Sequence, residues 1–218
     1  MARICACMLV LFLELSAVTI AQTRVGFHGG AQIATLNRPQ NRDEHWNWLG
    51  KASGGVTLDL SLAEHVLAVF QVDLVEKWSG GRTLPLTLTA DIIIYHMTLR
   101  TRYLEIPFYI RWRPGNGGFR WFAEIGPKTS FLLSAEADLS AMQGMEWTQD
   151  VEERVHSTDV GIAVGSGVEI DVATSVSISF AAHYTHGLVR FFRDSSNDSK
   201  VISFQVDVGV MIDLQMLK

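Results

Sequence analysis

Hydrophobic and polar residues alternate one by one along much of this chain, in bursts separated by turn-forming residues. In 201–214, VISFQVDVGVMIDL, one side of an extended backbone carries Ile202, Phe204, Val206, Val208, Val210, Ile212 and Leu214. The other carries Ser203, Gln205, Asp207, Gly209 and Asp213, with Met211 the exception. Successive strand side chains point to opposite faces, so this period of two predicts a strand with one apolar and one polar face. The same pattern marks 24–36, 54–62, 66–75, 102–113, 119–134, 159–170 and 175–189. The connections alternate in length, with short turns at 63–65, 114–118 and 171–174 and long stretches at 37–50, 76–94, 135–157 and 190–200. An even number of strands with short turns at one end and long loops at the other is the layout of a membrane-spanning barrel.

The two faces differ in a way that fixes which of them is outside. In 159–170 the bulky Val160, Ile162, Val164, Val168 and Ile170 oppose Asp159, Gly161, Ala163, Gly165, Gly167 and Glu169. Small residues with isolated charges suit the cramped interior of an eight-stranded barrel. A bulky uncharged face suits hydrocarbon, where a midplane Arg or Lys costs about 2–4 kcal/mol. The predicted fold is therefore all-β, an eight-stranded antiparallel up-and-down transmembrane β-barrel. A closed ring leaves no unpaired edge in lipid. The rival at the level of fold is a soluble ligand-binding barrel with its bulky face inward.

In YLEIPFYIRW (103–112), Leu104, Ile106, Phe108, Ile110 and Trp112 point outward, and Glu105, Tyr109 and Arg111 inward. With Glu124, Lys128, Glu169 and Asp207 these inward residues form the predicted polar cluster of the bore, either structural or pore-lining. Charge pairing across PGNGG predicts Glu105 opposite Lys128, Tyr109 opposite Glu124 and Trp112 opposite Trp121. The alternative register sets Arg111 beside Arg120, where like charges repel. The two tryptophans are expected in an interfacial aromatic girdle. Pro107 and Pro127 cannot donate to the ladder, so a local bulge is expected there.

Composition agrees with this picture. The chain is 48% hydrophobic and only 19% charged, against roughly 25% in ordinary soluble domains. No apolar run of about 18 residues follows the N-terminal segment, so strands must do the crossing. Residues 1–21 read as a cleaved signal peptide, with Arg3 at the start, an apolar Ile4–Leu13 core and Thr19-Ile20-Ala21 before Gln22. Residues 22–218 are then the barrel domain. Cys5 and Cys7 both fall in the signal, so the mature chain lacks disulfides. A net charge of −5 without a basic stripe excludes nucleic acid as a partner.

RVGFHGGAQIATL, YLEIPFYIRW, FAEIGPKTSFLL and DVGIAVGSGVEI together resemble the PorT-like outer-membrane β-barrel family of diderm bacteria. The resemblance covers most of the mature chain and implies the same barrel in the bacterial outer membrane, in contact with its lipid. One founding member is associated with a protein-secretion machine, which implies an envelope or secretion partner. It supplies no catalytic residues. Asp207, Gly209, Ile212 and Leu214 also look like the signal read by the barrel-assembly machinery in a C-terminal strand, although the chain ends QMLK rather than on an aromatic residue.

Candidate chemistry is sparse. His183 and His186, three apart in a strand, point to opposite faces and do not make a helical zinc pair. HGG, SGG and GNGG lack the lysine and following helix of a phosphate loop. His183, Asp159 and Ser177 or Ser179 are the right types for a hydrolase or acyltransferase at the rim, provided they gather. The stretch 135–157 is acidic, with Glu136, Asp138, Glu146, Asp150, Glu152 and Glu153 against Arg154 alone. The expected function is a non-enzymatic integral outer-membrane barrel without cofactor or metal, presenting loops for binding, envelope integrity or a secretion assembly. A narrow selective pore and a rim enzyme are the alternatives.

Overall fold

The computed structural model of this chain describes residues 23–37, 46–81, 86–87, 93–115, 117–141, 146–191 and 200–215. The signal-peptide expectation for 1–21 lies outside them. The strands are β1 (Thr23–Asn37), β2 (Trp46–Ala63), β3 (Val66–Gly81), β4 (Leu86–Thr87), β5 (Ile93–Trp112), β6 (Phe119–Ala141), β7 (Glu146–Asp150), β8 (Thr158–Ala173), β9 (Val176–Gly187) and β10 (Lys200–Asp213). A 3-10 turn occupies Glu152–Arg154.

Eight long antiparallel strands form the ring, in the order β5-β3-β2-β1-β10-β9-β8-β6, and a β5–β6 ladder closes it. β4 adds to β5, and β7 to β6, at the loop end. At the opposite end the Leu214 N–H donates to Thr23 O at 3.1 Å, so the first and last described strands meet beside the short turns. The eight-stranded barrel anticipated from the alternation is the fold observed.

The faces also fall as the pattern predicts. Phe27, Leu74, Ile125 and Val206 are exposed on the outside, whereas Glu105, Asp59 and Glu169 are fully buried inside. Met211, the odd apolar residue on the inner face of β10, is buried opposite Gly26. A Cβ on Gly26 would lie 2.2 Å from Met211 Sδ, so the thioether fills the room that the glycine leaves.

Three expectations are corrected. The strands are longer than the alternation suggested: β2 begins at Trp46, β3 runs to Gly81, β5 begins at Ile93 and β6 runs to Ala141. Beyond the apolar band these segments pair without a clean greasy face, so no period-two signal marks them. The stretch 135–157 is consequently not one loop. Its first residues belong to β6, and Arg100 on β5 compensates Asp138 at 2.8 Å and Glu136 at 3.3 Å.

The β5–β6 register follows neither expected alignment. Glu105 faces Ser130, Arg111 faces Glu124 and Trp112 faces Ala123. This slip puts Arg111 straight across from a carboxylate and leaves Lys128 within diagonal reach of Glu105, so it satisfies two charges on each strand. The indoles of Trp112 and Trp121 still meet edge to face, at 4.9 Å between centroids.

Neither proline produces a bulge. Pro107 pairs with Lys128 and Pro127 with Ile162, with the register unchanged on both sides. The shifts in the β5–β6 ladder lie farther up, between Ile94 and His96 and between Arg102 and Tyr103. A Cβ on Gly126, next to Pro127, would lie 1.8 Å from Phe108 O. The missing side chain lets the two backbones close around the prolines.

Gly126→Val is therefore expected to destabilise the folded barrel by about 1–3 kcal/mol or more through overpacking. Outward-facing Gly29→Ala, whose added atom meets only Ser53 O at 3.8 Å, should be tolerated. Urea unfolding in detergent, followed by tryptophan fluorescence, measures the difference.

Candidate functional site

Inward alternation delivers a column of charged side chains to the bore, and the short-turn end holds the densest part. Arg24 from β1 reaches Asp59 Oδ2 at 2.6 Å and Glu169 Oε1 at 2.5 Å. Arg111 from β5 bonds Glu124 Oε2 through Nε at 2.6 Å and lies 3.3 Å from Asp59 Oδ2. Arg113 and Arg120 both reach Glu169, at 2.9 and 2.7 Å, and Arg120 also pairs with Asp171. The guanidinium of Arg111 lies 4.2 Å from the centroid of the Phe122 ring.

Half-way up, two histidines face carboxylates, and one of them bridges a pair. His183 Nε2 meets Glu124 Oε1, and its Nδ1 lies 3.4 Å from Asp207 Oδ2. A ring facing carboxylates with both nitrogens donates to both only as imidazolium. Tyr109 stacks on this imidazole, 5.4 Å between centroids and 16° from parallel. His28 Nε2 lies 2.8 Å from Asp73, and its Nδ1 lies 3.0 Å from Thr57 Oγ1. Gln205 donates to Asp207 Oδ1 at 3.0 Å.

Toward the loop end, Glu105 accepts from Lys77 at 2.5 Å, Lys128 at 2.9 Å and Ser130 at 3.1 Å. The Lys77 ammonium also lies 4.7 Å from the ring centroid of Tyr103. Above this tier the bore turns apolar. Leu99, Ala135, Ala137 and Val201 pack against Val151, Val155 and Phe191. The segment carrying Val151 and Val155 is tied down by Val151 N–H to Ala135 O at 3.0 Å and by Leu132 N–H to Ser157 O at 2.8 Å.

All seven residues of the predicted cluster, Glu105, Tyr109, Arg111, Glu124, Lys128, Glu169 and Asp207, lie buried inside the barrel. They do not form a single site. Glu105 and Lys128 make one group, while Tyr109, Glu124 and Asp207 meet around His183 and Arg111 ties Glu124 to the arginine tier that holds Glu169. Arg24, Asp59, Asp73, Lys77 and His28 were missed, although each sits at an inward position of its own alternating strand.

The suggested serine–histidine–aspartate set does not assemble. Ser177 lines the short-turn mouth, and His183 is committed to Glu124 and Asp207. Gly165 is the residue across from His183, and about 20 Å of strand separates it from Asp159 on β8. His183 points inward and His186 outward, as their spacing predicts.

The buried ion pairs carry a clear energetic consequence. Removing one partner from a buried pair costs about 3–5 kcal/mol, because the charge left behind is uncompensated. Glu105→Gln strands two ammoniums and should destabilise the barrel by that order. Glu105→Gln with Lys128→Met should lose less than the single variant, since it leaves one cation instead of two. A double-mutant cycle by urea unfolding checks this.

Comparison with known proteins supports the same architecture. The family model described as outer membrane protein beta-barrel domain matches residues 20–193. No curated protein sequence matches the chain. Among solved structures, the outer membrane protein OprG of Pseudomonas aeruginosa aligns with a TM-score of 0.50 and 10% identity, covering 89% of this chain and 96% of that one. The attachment invasion locus protein Ail of Yersinia pestis aligns at 0.43 and 10%, covering 88% and 99%. Neisserial surface protein A aligns at 0.43 and 14%, covering 86% and 96%. At 10% identity the OprG alignment bears on fold alone.

Proposed function

The chain belongs to the outer membrane protein beta-barrel domain family, and from that premise we propose that it is a closed, non-enzymatic barrel displaying its loop end at the cell surface. The observation that carries this reading is the filled bore. Its charges are paired in successive tiers, and an apolar cap of Leu99, Val151, Val155 and Phe191 lies over them at the loop end. A conducting path would need water through both layers. A narrow pore is accordingly the weaker reading.

The short turns face the periplasm in such barrels. β5 has 20 residues and β6 has 23, about 66 and 76 Å of strand, against an apolar band about 25 Å tall. Even at the usual tilt both strands rise far beyond the lipid. There they carry β4 and β7, giving the barrel a raised sheet on one side. Glu146, Asp150, Glu152 and Glu153 are exposed on this projection, which favours a basic partner surface.

The resemblance to the PorT-like family supports a role in envelope integrity or in a protein-secretion assembly. Asp207, Gly209, Ile212 and Leu214 support recognition of β10 by the barrel-assembly machinery. A signal peptide over residues 1–21 completes the proposed export route.

Two outcomes are expected. The purified barrel should show no stepwise conductance in planar bilayers, and Glu105→Gln should not create any; steady unitary currents would favour the pore. Replacing residues 142–150 with a short Gly-Ser turn should leave the barrel folded, judged by heat-dependent gel mobility. It should abolish the phenotype of the intact protein in complementation, and full complementation would remove the raised sheet from the functional account.

A further inference from the structure

We infer that the short-turn mouth of the bore is a binding site for a phosphate group. Arg24, Arg113 and Arg120 all line a cavity there of about 180 Å³, together with Thr174, Ser175 and Ser177. The three guanidiniums converge on a single oxygen, Glu169 Oε1, at 2.5, 2.9 and 2.7 Å. Arg24 has a second anion in Asp59, and Arg120 in Asp171. Arg113, just past the end of β5, shares Glu169 and pairs with no other carboxylate among the described residues. Like charges crowd it: burial and the neighbouring Arg24 hold its guanidinium below the ordinary arginine range, and Arg120 adds to the effect.

At this crowded point the Arg113 and Arg120 side chains remain 11% and 17% exposed. The Arg24 side chain is only 7% exposed, yet its Nε is buried without a hydrogen-bond partner among the described residues. Arg120 Nε is in the same position. Guanidinium forks match the geometry of oxyanions, and phosphate in particular is recognised by several of them at once. Thr174, Ser175 and Ser177 in the lining add hydroxyl donors. A carboxylate offers two oxygens, whereas a phosphate offers enough acceptors and charge for three cations and these hydroxyls. Asp171 and Asp213 also line the cavity. Asp171 is engaged by Arg120, so the anionic side of the rim is partly neutralised.

The site opens beside the Trp112–Trp121 pair, where the barrel meets the bilayer surface. Its phosphate therefore comes either from a soluble phosphate compound or from an anionic phospholipid headgroup of the adjoining leaflet. Both have the chemistry that the arginines recognise.

The test is calorimetric titration of the full folded chain in maltoside micelles, with inorganic phosphate in one arm and short-chain phosphatidylglycerol in the other. Saturable binding of either probe is expected, with the productive arm identifying the source. Arg113→Gln should weaken it roughly tenfold or more, the effect of losing a charged hydrogen bond. Arg120→Gln serves as the second variant, and Arg102→Gln at the far end should bind as the parent does. Heat-dependent gel mobility confirms folding in each case. Binding of neither probe by the folded parent, or undiminished binding by both mouth variants, would overturn the assignment.

Discussion

Hydrocarbon solvates neither a peptide N–H nor a carboxylate. This chain meets the first demand by pairing its long strands side to side until the β5–β6 ladder closes the ring. It meets the second by turning the charges of the spanning region inward, where Arg24, Arg111, Glu105 and Glu124 find counter-charges on other strands. Arg24 links β1 to β2 and β8, Arg111 links β5 to β2 and β6, and Glu105 links β5 to β3 and β6. The bore is thus a set of cross-braces between strands distant in sequence. Closure and charge pairing stand together, because a slipped strand would separate these partners and turn its charges toward lipid.

The same bracing shapes the two ends differently. At the short-turn end the cations outnumber their nearest carboxylate, and the tier stays polar up to the mouth. At the loop end the column finishes in an apolar cap, and β5 and β6 continue beyond it as a raised sheet. The middle of the barrel is thus braced by paired charges, and the two ends differ in chemistry. The middle of the bore is accordingly rich in titratable groups held by one another, His183 between Glu124 and Asp207 among them.

How much of this was legible in the sequence depended on where the physics leaves a period-two trace. The lipid-facing band does, so β10, with Val206 and Asp207 on opposite faces, was readable residue by residue. The upper reaches of β3, β5 and β6 do not, because water on the outside permits Glu76, Arg100 and Glu136 where hydrocarbon would demand valine. The β5–β6 register was not legible either. Matching Glu105 to Lys128 head-on overlooked that lysine reaches diagonally, whereas the planar fork of Arg111 gains more from Glu124 directly opposite. Arg24 and Asp59 carried the same inward signal as Glu105 and were passed over because their strands read less cleanly, whereas Lys77 lies in the part of β3 beyond the expected strand end at 75. The cap formed by Val151, Val155 and Phe191 arises from segments outside the ring, to which no strand periodicity points.

The central claim is that the bulky face of each strand touches lipid while the charged face lines a packed bore. Spin labels placed one at a time at residues 203–210 of β10, in bilayers, read this directly through their collisions with dissolved oxygen. The account predicts high accessibility at Phe204, Val206, Val208 and Val210, alternating with low values at Ser203, Gln205 and Asp207. An inverted phase, or no alternation along the strand, would contradict it.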